Sequence, residues 1–192
     1  NKVYVTNLQS SNVTVIDGSY NTTVTVAAGT TPIAIATNPV TNRTYVANRD
    51  SNNVTVIDGT NNTTATVPVG INPHALAINP TTNKIYVANR NSNSVTVIDG
   101  GSNSTVSVPV GSNPLQFSIA VNAVTNKIYV ANYGDNNITI IEGSNNSTTS
   151  VAVGIGPYGI DVNPVTNKIY VANSGSSTVT VIDGNNNTAA TV

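Results

Sequence analysis

A tetrad of the form Tyr-Val-Ala/Thr-Asn recurs five times along the chain at nearly constant spacing. Its tyrosines are separated by 41, 41, 43 and 41 residues. A period of about 40 to 45 residues made of strand-forming units is typical of a β-propeller. The tyrosines are Tyr4, Tyr45, Tyr86, Tyr129 and Tyr170. We therefore predict a single β-propeller domain over residues 1–192, with repeat units 1–29, 30–70, 71–111, 112–154 and 155–192.

Each unit contains four short runs of strand-forming residues separated by turn residues. In the third unit the runs cover residues 75–79, 84–88, 94–98 and 104–108. Val, Ile, Thr and Tyr dominate these runs, whereas Asn, Gly, Pro and Ser dominate the segments between them. No segment has a helical period over ten or more residues. The sequence thus predicts an all-β fold of four-stranded antiparallel blades.

The first unit begins at its second run, with Lys2-Val-Tyr-Val-Thr6, and the fifth ends at its fourth, with Ala189-Ala-Thr-Val192. This predicts 19 strands and a first blade that lacks its innermost strand. The deficit fits a closed five-bladed ring with one three-stranded blade, a fragment of a longer array, or a second copy that completes the open blade. Because an open end exposes a sheet face and unpaired edges, we expect self-association or packing against neighbouring repeats of a longer chain.

Charge is scarce in this chain. Only 8% of its residues are Asp, Glu, Lys or Arg, against about 25% in ordinary domains, and the formal net charge is -1. A basic field able to hold a phosphate backbone or an anionic membrane surface is therefore missing, which argues against nucleic acid as a partner. No apolar stretch approaches the roughly 18 residues that span a bilayer, so we expect no membrane insertion. The absence of Cys excludes disulfides and thiolate metal sites.

An acidic residue follows the third run of every unit, usually in the sequence Val-Ile-Asp-Gly. An Asp at a strand end accepts hydrogen bonds from the next backbone amides, and we expect the Gly after it to adopt a positive φ. Because the acids recur with the repeat, we interpret them as structural turn residues instead of catalytic groups. They are Asp17, Asp58, Asp99, Glu142 and Asp183.

Taken together, these motifs resemble a known repeat. The tetrads, the Val-Ile-Asp-Gly turns, the Val-Gly-x-x-Pro junctions and Asn163-Pro-Val-Thr-Asn-Lys168 are similar to the YVTN β-propeller family over nearly the whole chain. Such repeats occur in secreted and cell-surface proteins of bacteria and archaea, including surface-layer proteins, often as seven-bladed propellers or longer arrays. The resemblance implies an extracellular or cell-surface location, although five units depart from the usual seven.

Residues that break the repeat are concentrated after the tetrads and after the Gly-x-x-Pro junctions. In a propeller both kinds of loop open onto the same end, so we predict that these residues form a ligand-binding face. Arg side chains bind anions and aromatic rings stack on sugars or peptides, which suits a carboxylate, a sugar or a peptide. Solvated loop residues with no binding role are the alternative. The candidates are Arg49, His74, Arg90, Phe117, Tyr133 and Tyr158.

The sequence offers little for catalysis. It has one His and no His-x-His pair, so we predict no metal site, no cofactor and no catalytic set. The leading interpretation is a non-enzymatic extracellular or cell-surface propeller that acts as a structural, adhesive or self-assembling module, with a surface polysaccharide or protein as a candidate partner. A ligand-binding propeller and a lyase-like or lactonase-like enzyme are the alternatives.

Overall fold

The computed structural model describes residues 1–192 and consists of 19 strands in five antiparallel sheets, without a helix. Four sheets have four strands and the first has three, which confirms the predicted all-β propeller and its incomplete first blade. Since there are no helices, none is long and apolar enough to cross a membrane. Blade 1 contains β1 (Lys2–Asn7), β2 (Asn12–Asp17) and β3 (Thr23–Ala27).

The other four blades repeat one order of strands. Blade 2 contains β4 (Pro32–Asn38), β5 (Arg43–Asn48), β6 (Asn53–Asp58) and β7 (Thr64–Pro68). Blade 3 contains β8 (Pro73–Asn79), β9 (Lys84–Asn89), β10 (Ser94–Asp99) and β11 (Thr105–Pro109). Blade 4 contains β12 (Pro114–Asn122), β13 (Lys127–Asn132), β14 (Asn137–Glu142) and β15 (Thr148–Ala152). Blade 5 contains β16 (Pro157–Asn163), β17 (Lys168–Asn173), β18 (Thr178–Asp183) and β19 (Ala189–Thr191).

Each blade has two apolar faces, because side chains alternate along a strand. In blade 2, Tyr45 packs with residues of blade 3, whereas Val46 packs with residues of blade 1. We call the face that contains the tetrad tyrosine the leading face and the opposite one the trailing face. The first strands of blades 2 to 5 lie side by side along the axis, so the outer strands fan away from it.

Hydrophobic contact between blades is confined to four interfaces. One cluster joins blade 1 to blade 2, and three more join blades 2 to 3, 3 to 4 and 4 to 5. None joins blade 5 to blade 1. The five blades therefore form an open arc, and the closed five-bladed ring considered from the sequence is not the structure observed.

The turns after the third strands differ from the sequence prediction in the conformation of their glycines. Asp58 Oδ1 accepts a hydrogen bond from the Thr60 amide at 2.8 Å, and this bond lowers the pKa of the Asp58 carboxyl. Glu142 makes no such bond and instead lies 3.4 Å from Lys127 Nζ. The glycines of these turns do not have positive φ, so that expectation was wrong. The residues of these turns that do have positive φ are asparagines, namely Asn21, Asn62, Asn103, Asn146 and Asn187.

The glycine is required for a different reason. A Cβ placed on Gly59 would lie 2.6 Å from the backbone oxygen of Asn42, and Gly59 N donates a hydrogen bond to that oxygen at 2.8 Å. The turn after β6 therefore packs directly on the turn between β4 and β5. Gly59 is therefore required because it has no side chain, and not because its backbone needs a positive φ.

Candidate functional site

The loops that follow the tetrads and the junctions before the first strands are hydrogen-bonded to one another at one end of the arc, which we call the loop end. Arg49 N donates to Thr31 O at 2.9 Å, and Arg90 N donates to Asn72 O at 2.9 Å. The backbone N–H of Asn72 also donates to Asn52 Oδ1, in the preceding blade, at 2.9 Å. These backbone bonds hold the side chains of the loop end on a fixed frame.

Three of the six predicted site residues meet in one polar cavity at the loop end. The cavity has a volume of about 430 Å³ and contains no hydrophobic residue in its lining. Its walls come from the second-to-third strand loops of blades 2 and 3 and from the junction before β8. The lining residues are Arg49, Asp50, Asn72, His74, Arg90 and Asn91.

The two arginines of this cavity differ in charge compensation. Arg49 forms a bidentate pair with Asp50, with Nε to Oδ1 at 2.8 Å and Nη2 to Oδ2 at 3.2 Å. This pairing, together with a hydrogen bond from Thr31 Oγ1, lowers the pKa of Asp50 to about 2. Arg90 has no carboxylate within 4 Å and donates only through Nε, to Asn113 Oδ1 at 2.6 Å. The cavity thus carries one uncompensated positive charge.

His74 occupies a β-bulge at the start of β8. Its neighbours Pro73 and Ala75 pair with Asn89 and Ala88, while His74 has no partner in the ladder. A bulge re-aims a side chain relative to the regular strand. The imidazole is 8% exposed, and its Nδ1 lies 3.2 Å from Asn72 O. Burial lowers the pKa of His74, and the nearby arginines lower it further, so the ring is neutral at neutral pH.

A second cavity, of about 330 Å³, adjoins the first at His74 and lies on the arc axis. We call it the axis cavity. The first strands of blades 2 to 5 line it, and nearly all of the lining is apolar, including Ile35, Leu76, Ile119 and Ile160. The polar residues of its wall are His74 and Gln116.

The predicted aromatic residues separate into two places. The rings of Phe117 and Tyr158 are 6.3 Å apart at an interplanar angle of 52°. Phe117 lines the axis cavity, is 64% exposed, and has a φ of 64°, which is unusual for a bulky residue. Tyr133 instead lies against the junction of blade 5, where its Cε2 is 3.2 Å from a Cβ built on Gly156. The structure therefore places neither Tyr133 nor Tyr158 in the wall of either cavity, although Tyr158 lies beside Phe117.

The sequence prediction omitted several residues that shape this region. Asp50 neutralises Arg49, Asn113 holds Arg90, and the aliphatic residues of the first strands line the axis cavity. The position of Asp50 next to Arg49 was a usable signal, whereas the contact with Asn113 crosses from one blade to the next. No group of three or more His, Cys, Asp or Glu side chains lies close enough together to hold a metal ion.

The sequence matches no family model, and it matches no curated protein. Solved structures of similar shape are numerous. One is the dihydro-heme d1 dehydrogenase NirN in complex with DHE, with a TM-score of 0.86 and 17% identity over 100% of this chain and 44% of that chain. A functionally unknown protein from Desulfotomaculum acetoxidans has a TM-score of 0.79 and 19% identity, covering 100% of this chain and 65% of that one.

A third similar structure comes from a nidogen/laminin complex, with a TM-score of 0.73 and 12% identity over 99% of this chain and 74% of that chain. This chain spans less than half the length of the NirN chain. Identities this low establish the β-propeller fold alone.

Proposed function

We propose that this chain is a non-enzymatic structural module of the YVTN propeller type that assembles at or outside the cell surface by stacking blades between copies. The observation that carries the proposal is the leading face of blade 5. Tyr170 on this face is 43% exposed, whereas its counterparts in blades 2 to 4 are fully buried by the following blade. The proposed occupant of this face is blade 1 of a second copy.

The trailing face of blade 1 has the matching character. Val3 and Val5 are 52% and 44% exposed, while Thr44 and Val46, at the equivalent positions of blade 2, are completely buried, and Val46 packs against blade 1. The two exposed surfaces therefore correspond to the two halves of an interface that the chain already forms four times. Because the halves differ, the association is head-to-tail and extends to a larger ring or a filament.

Polar groups at the blade edges support the same geometry. Asn38, Asn79 and Asn122 each donate a hydrogen bond through Nδ2 to an asparagine of the following blade, at 2.8 to 3.0 Å. The fourth member, Asn163, is exposed, and its Nδ2 has no acceptor within the chain. The residue in blade 1 at the receiving position is Asn1, so head-to-tail stacking pairs Asn163 with Asn1 of a second copy.

Two of the five repeating cations near the same edges also bind the following blade. Lys2 Nζ donates to Gly59 O at 2.7 Å, and Arg43 Nη1 donates to Gly100 O at 2.6 Å, each reaching the following blade. Lys84, Lys127 and Lys168 instead pair with the acidic residue of their own blade, at 3.8, 3.4 and 2.7 Å.

The extracellular location and the absence of catalysis rest on the sequence. The YVTN-like repeats favour a secreted or cell-surface protein. Ten of the fifteen charged residues lie at repeating structural positions, and the single His is neutral and buried. These features favour a scaffold over an enzyme.

The experiment is light scattering of the isolated chain over a concentration series, with one charge introduced on each end face. The wild type is expected to increase in mass with concentration. Val179→Asp on the leading face and Val3→Asp on the trailing face should each be monomeric, because a carboxylate would be buried without a partner. An equimolar mixture of the two variants should form dimers only, because each retains the face that the other has lost.

Val165→Asp is the matched control, because Val165 is 91% exposed in the turn between the first two strands of blade 5. This variant should assemble like the wild type. A wild-type chain that stays monomeric at every concentration would overturn the proposal. Mixed variants that remain monomeric would overturn the head-to-tail geometry.

A further inference from the structure

The two cavities at the loop end have opposite chemistry and meet at one residue. The polar cavity contains no hydrophobic lining residue, while the axis cavity is almost entirely apolar, and His74 contributes to both walls. A ligand that occupies both must therefore carry a polar head and an apolar body. The polar cavity lies apart from the end faces of blades 1 and 5, whereas Phe117 and Ile160 of the axis cavity also line a recess with Tyr170 and Val179 on the leading face of blade 5. Ligand binding is therefore measured at protein concentrations at which the chain is monomeric.

Arg90 determines which polar head group the ligand can carry. The charge of Arg49 is balanced by Asp50, so Arg90 is the one uncompensated charge in the polar cavity. Its Nε is fixed by Asn113 Oδ1 at 2.6 Å, while its two Nη nitrogens have no acceptor in the protein. A guanidinium held in this way presents parallel N–H donors that match a carboxylate. One net positive charge matches one carboxylate.

The axis cavity determines the size and chemistry of the apolar part of the ligand. Its volume of about 330 Å³ is at the small end of the range for small-molecule pockets, roughly 300 to 1,000 Å³. A sugar would leave most of its hydroxyls without partners against Ile35, Leu76 and Ile119, and unpaired buried polar groups are unfavourable. The lining therefore favours a short hydrocarbon chain over a sugar.

Phe117 adds an independent indication at the rim of the axis cavity. It lies in the lengthened segment between Pro114 and Ile119, where the pairing of β12 with β13 shifts register. A bulky residue with a φ of 64° is uncommon, and such conformations are concentrated at ligand sites. The largely exposed ring is in position to cover a chain in the cavity.

We propose that the loop end binds an aliphatic monocarboxylate, with the carboxylate on Arg90 and the hydrocarbon chain in the axis cavity beneath Phe117. His74 separates the two parts of the ligand. Of the carboxylate, sugar and peptide ligands predicted for this face, only a carboxylate with a hydrocarbon chain matches both Arg90 and the axis cavity.

The probe is octanoate, added to the isolated chain and followed by two-dimensional amide NMR and by calorimetry. Saturable binding with one site per chain and a dissociation constant on the order of 1 mM or tighter is expected. The largest shifts should occur in the junctions before β8 and β12. Octylammonium and 1-octanol, which have the same chain without the carboxylate, should bind at least about ten times more weakly.

Two variants and one matched control identify the residues. Arg90→Gln should weaken octanoate binding about tenfold or more, and Phe117→Ala should weaken it about threefold or more, since part of the apolar cover is removed. Lys84→Gln removes a positive charge from the same blade at the opposite end of β9, and it should leave binding within about twofold of the wild type. Amide spectra of each free variant verify that the fold is retained.

Three results would overturn the assignment. One is an absence of saturable octanoate binding, and another is equal affinity for octanoate and 1-octanol. The third is an equal loss in Lys84→Gln and Arg90→Gln, which would indicate non-specific attraction of an anion. None of these results affects the stacking proposal, which is measured by mass.

Discussion

Interior and end blades of this molecule carry the same tetrad in different surroundings. Tyr86 of blade 3 is completely buried, and Tyr170 of blade 5 is 43% exposed, although both belong to the sequence Ile-Tyr-Val-Ala-Asn. The leading-face position Ile138 of blade 4 is likewise buried, while its blade 5 equivalent Val179 is 38% exposed. The comparison shows that the tetrad specifies an interface and not the core of its own blade. A repeat protein of this kind is stabilised largely by contacts between neighbouring units.

The largest expected effect separates the two tyrosines directly. Tyr86→Ala should lower the free energy of unfolding by about 3 to 5 kcal/mol, because it leaves a cavity between blades 3 and 4. Tyr170→Ala should lower it by less than about 1 kcal/mol, because the side chain faces solvent in the isolated chain. Chemical denaturation at low protein concentration, where copies are dissociated, measures both values.

The same pair of variants also reports on stacking. At high protein concentration the cost of Tyr170→Ala should increase, because a second copy then covers the side chain, whereas the cost of Tyr86→Ala should not change. Equal costs for the two variants at low concentration would show that blade 5 is covered within the chain, contrary to the open arc.

A smaller effect is expected at the turn glycines. A Cβ on Gly59 would be 2.6 Å from the backbone oxygen of Asn42, whereas a Cβ on Gly101, in the equivalent turn of blade 3, would have only Asp99 Oδ1 near it, at 3.3 Å. Gly59→Ala should therefore cost about 1 to 3 kcal/mol, and Gly101→Ala less than about 1 kcal/mol. Thermal unfolding of the two variants tests this difference, and a larger loss in Gly101→Ala would contradict the packing explanation.

These glycines also show where sequence reasoning stops. Tetrad spacing and turn residues were enough to predict the all-β fold and the incomplete first blade, because both follow from the order of strand-forming runs. The positive φ expected after Asp58 was wrong, because Asp-Gly is a local pattern shared by several turns. The need for Gly59 comes from the carbonyl group of Asn42, which a different turn brings into contact. Contacts between separate turns leave no local signal.

For the loop end, the sequence likewise predicted which residues come together but not their individual contacts. Propeller topology indicates that the loops carrying Arg49, His74 and Arg90 open on one side, and the structure places these side chains around one cavity. Which arginine is neutralised depends on side-chain conformation, and the separate position of Tyr133 depends on the packing of the blade 5 junction. Neither is encoded in the spacing of the repeat.

The junction residues extend the comparison of interior and end blades, and they give the smallest expected effect. His74 before blade 3 is 8% exposed, whereas its blade 5 equivalent Tyr158 is 37% exposed. Burial lowers the pKa of His74 below its ordinary value of 6.5, the hydrogen bond to Asn72 O opposes this shift, Arg90 and Arg49 add to it, and Asp50 opposes it. The unfolded chain therefore binds more protons than the folded one as the pH falls below about 6.5.

It follows that the His74 contribution is fully present above about pH 6.5 and is lost as the pH falls toward the lowered pKa of the folded state. His74→Leu, which introduces the side chain found at position 115, should remove this dependence. The wild type should lose more stability than the variant between pH 7 and about pH 5 in urea denaturation. The chain has no other His, and the pKa of Asp50, at about 2, lies well below this range, so a variant with the same loss as the wild type would show that His74 is not buried in its neutral form.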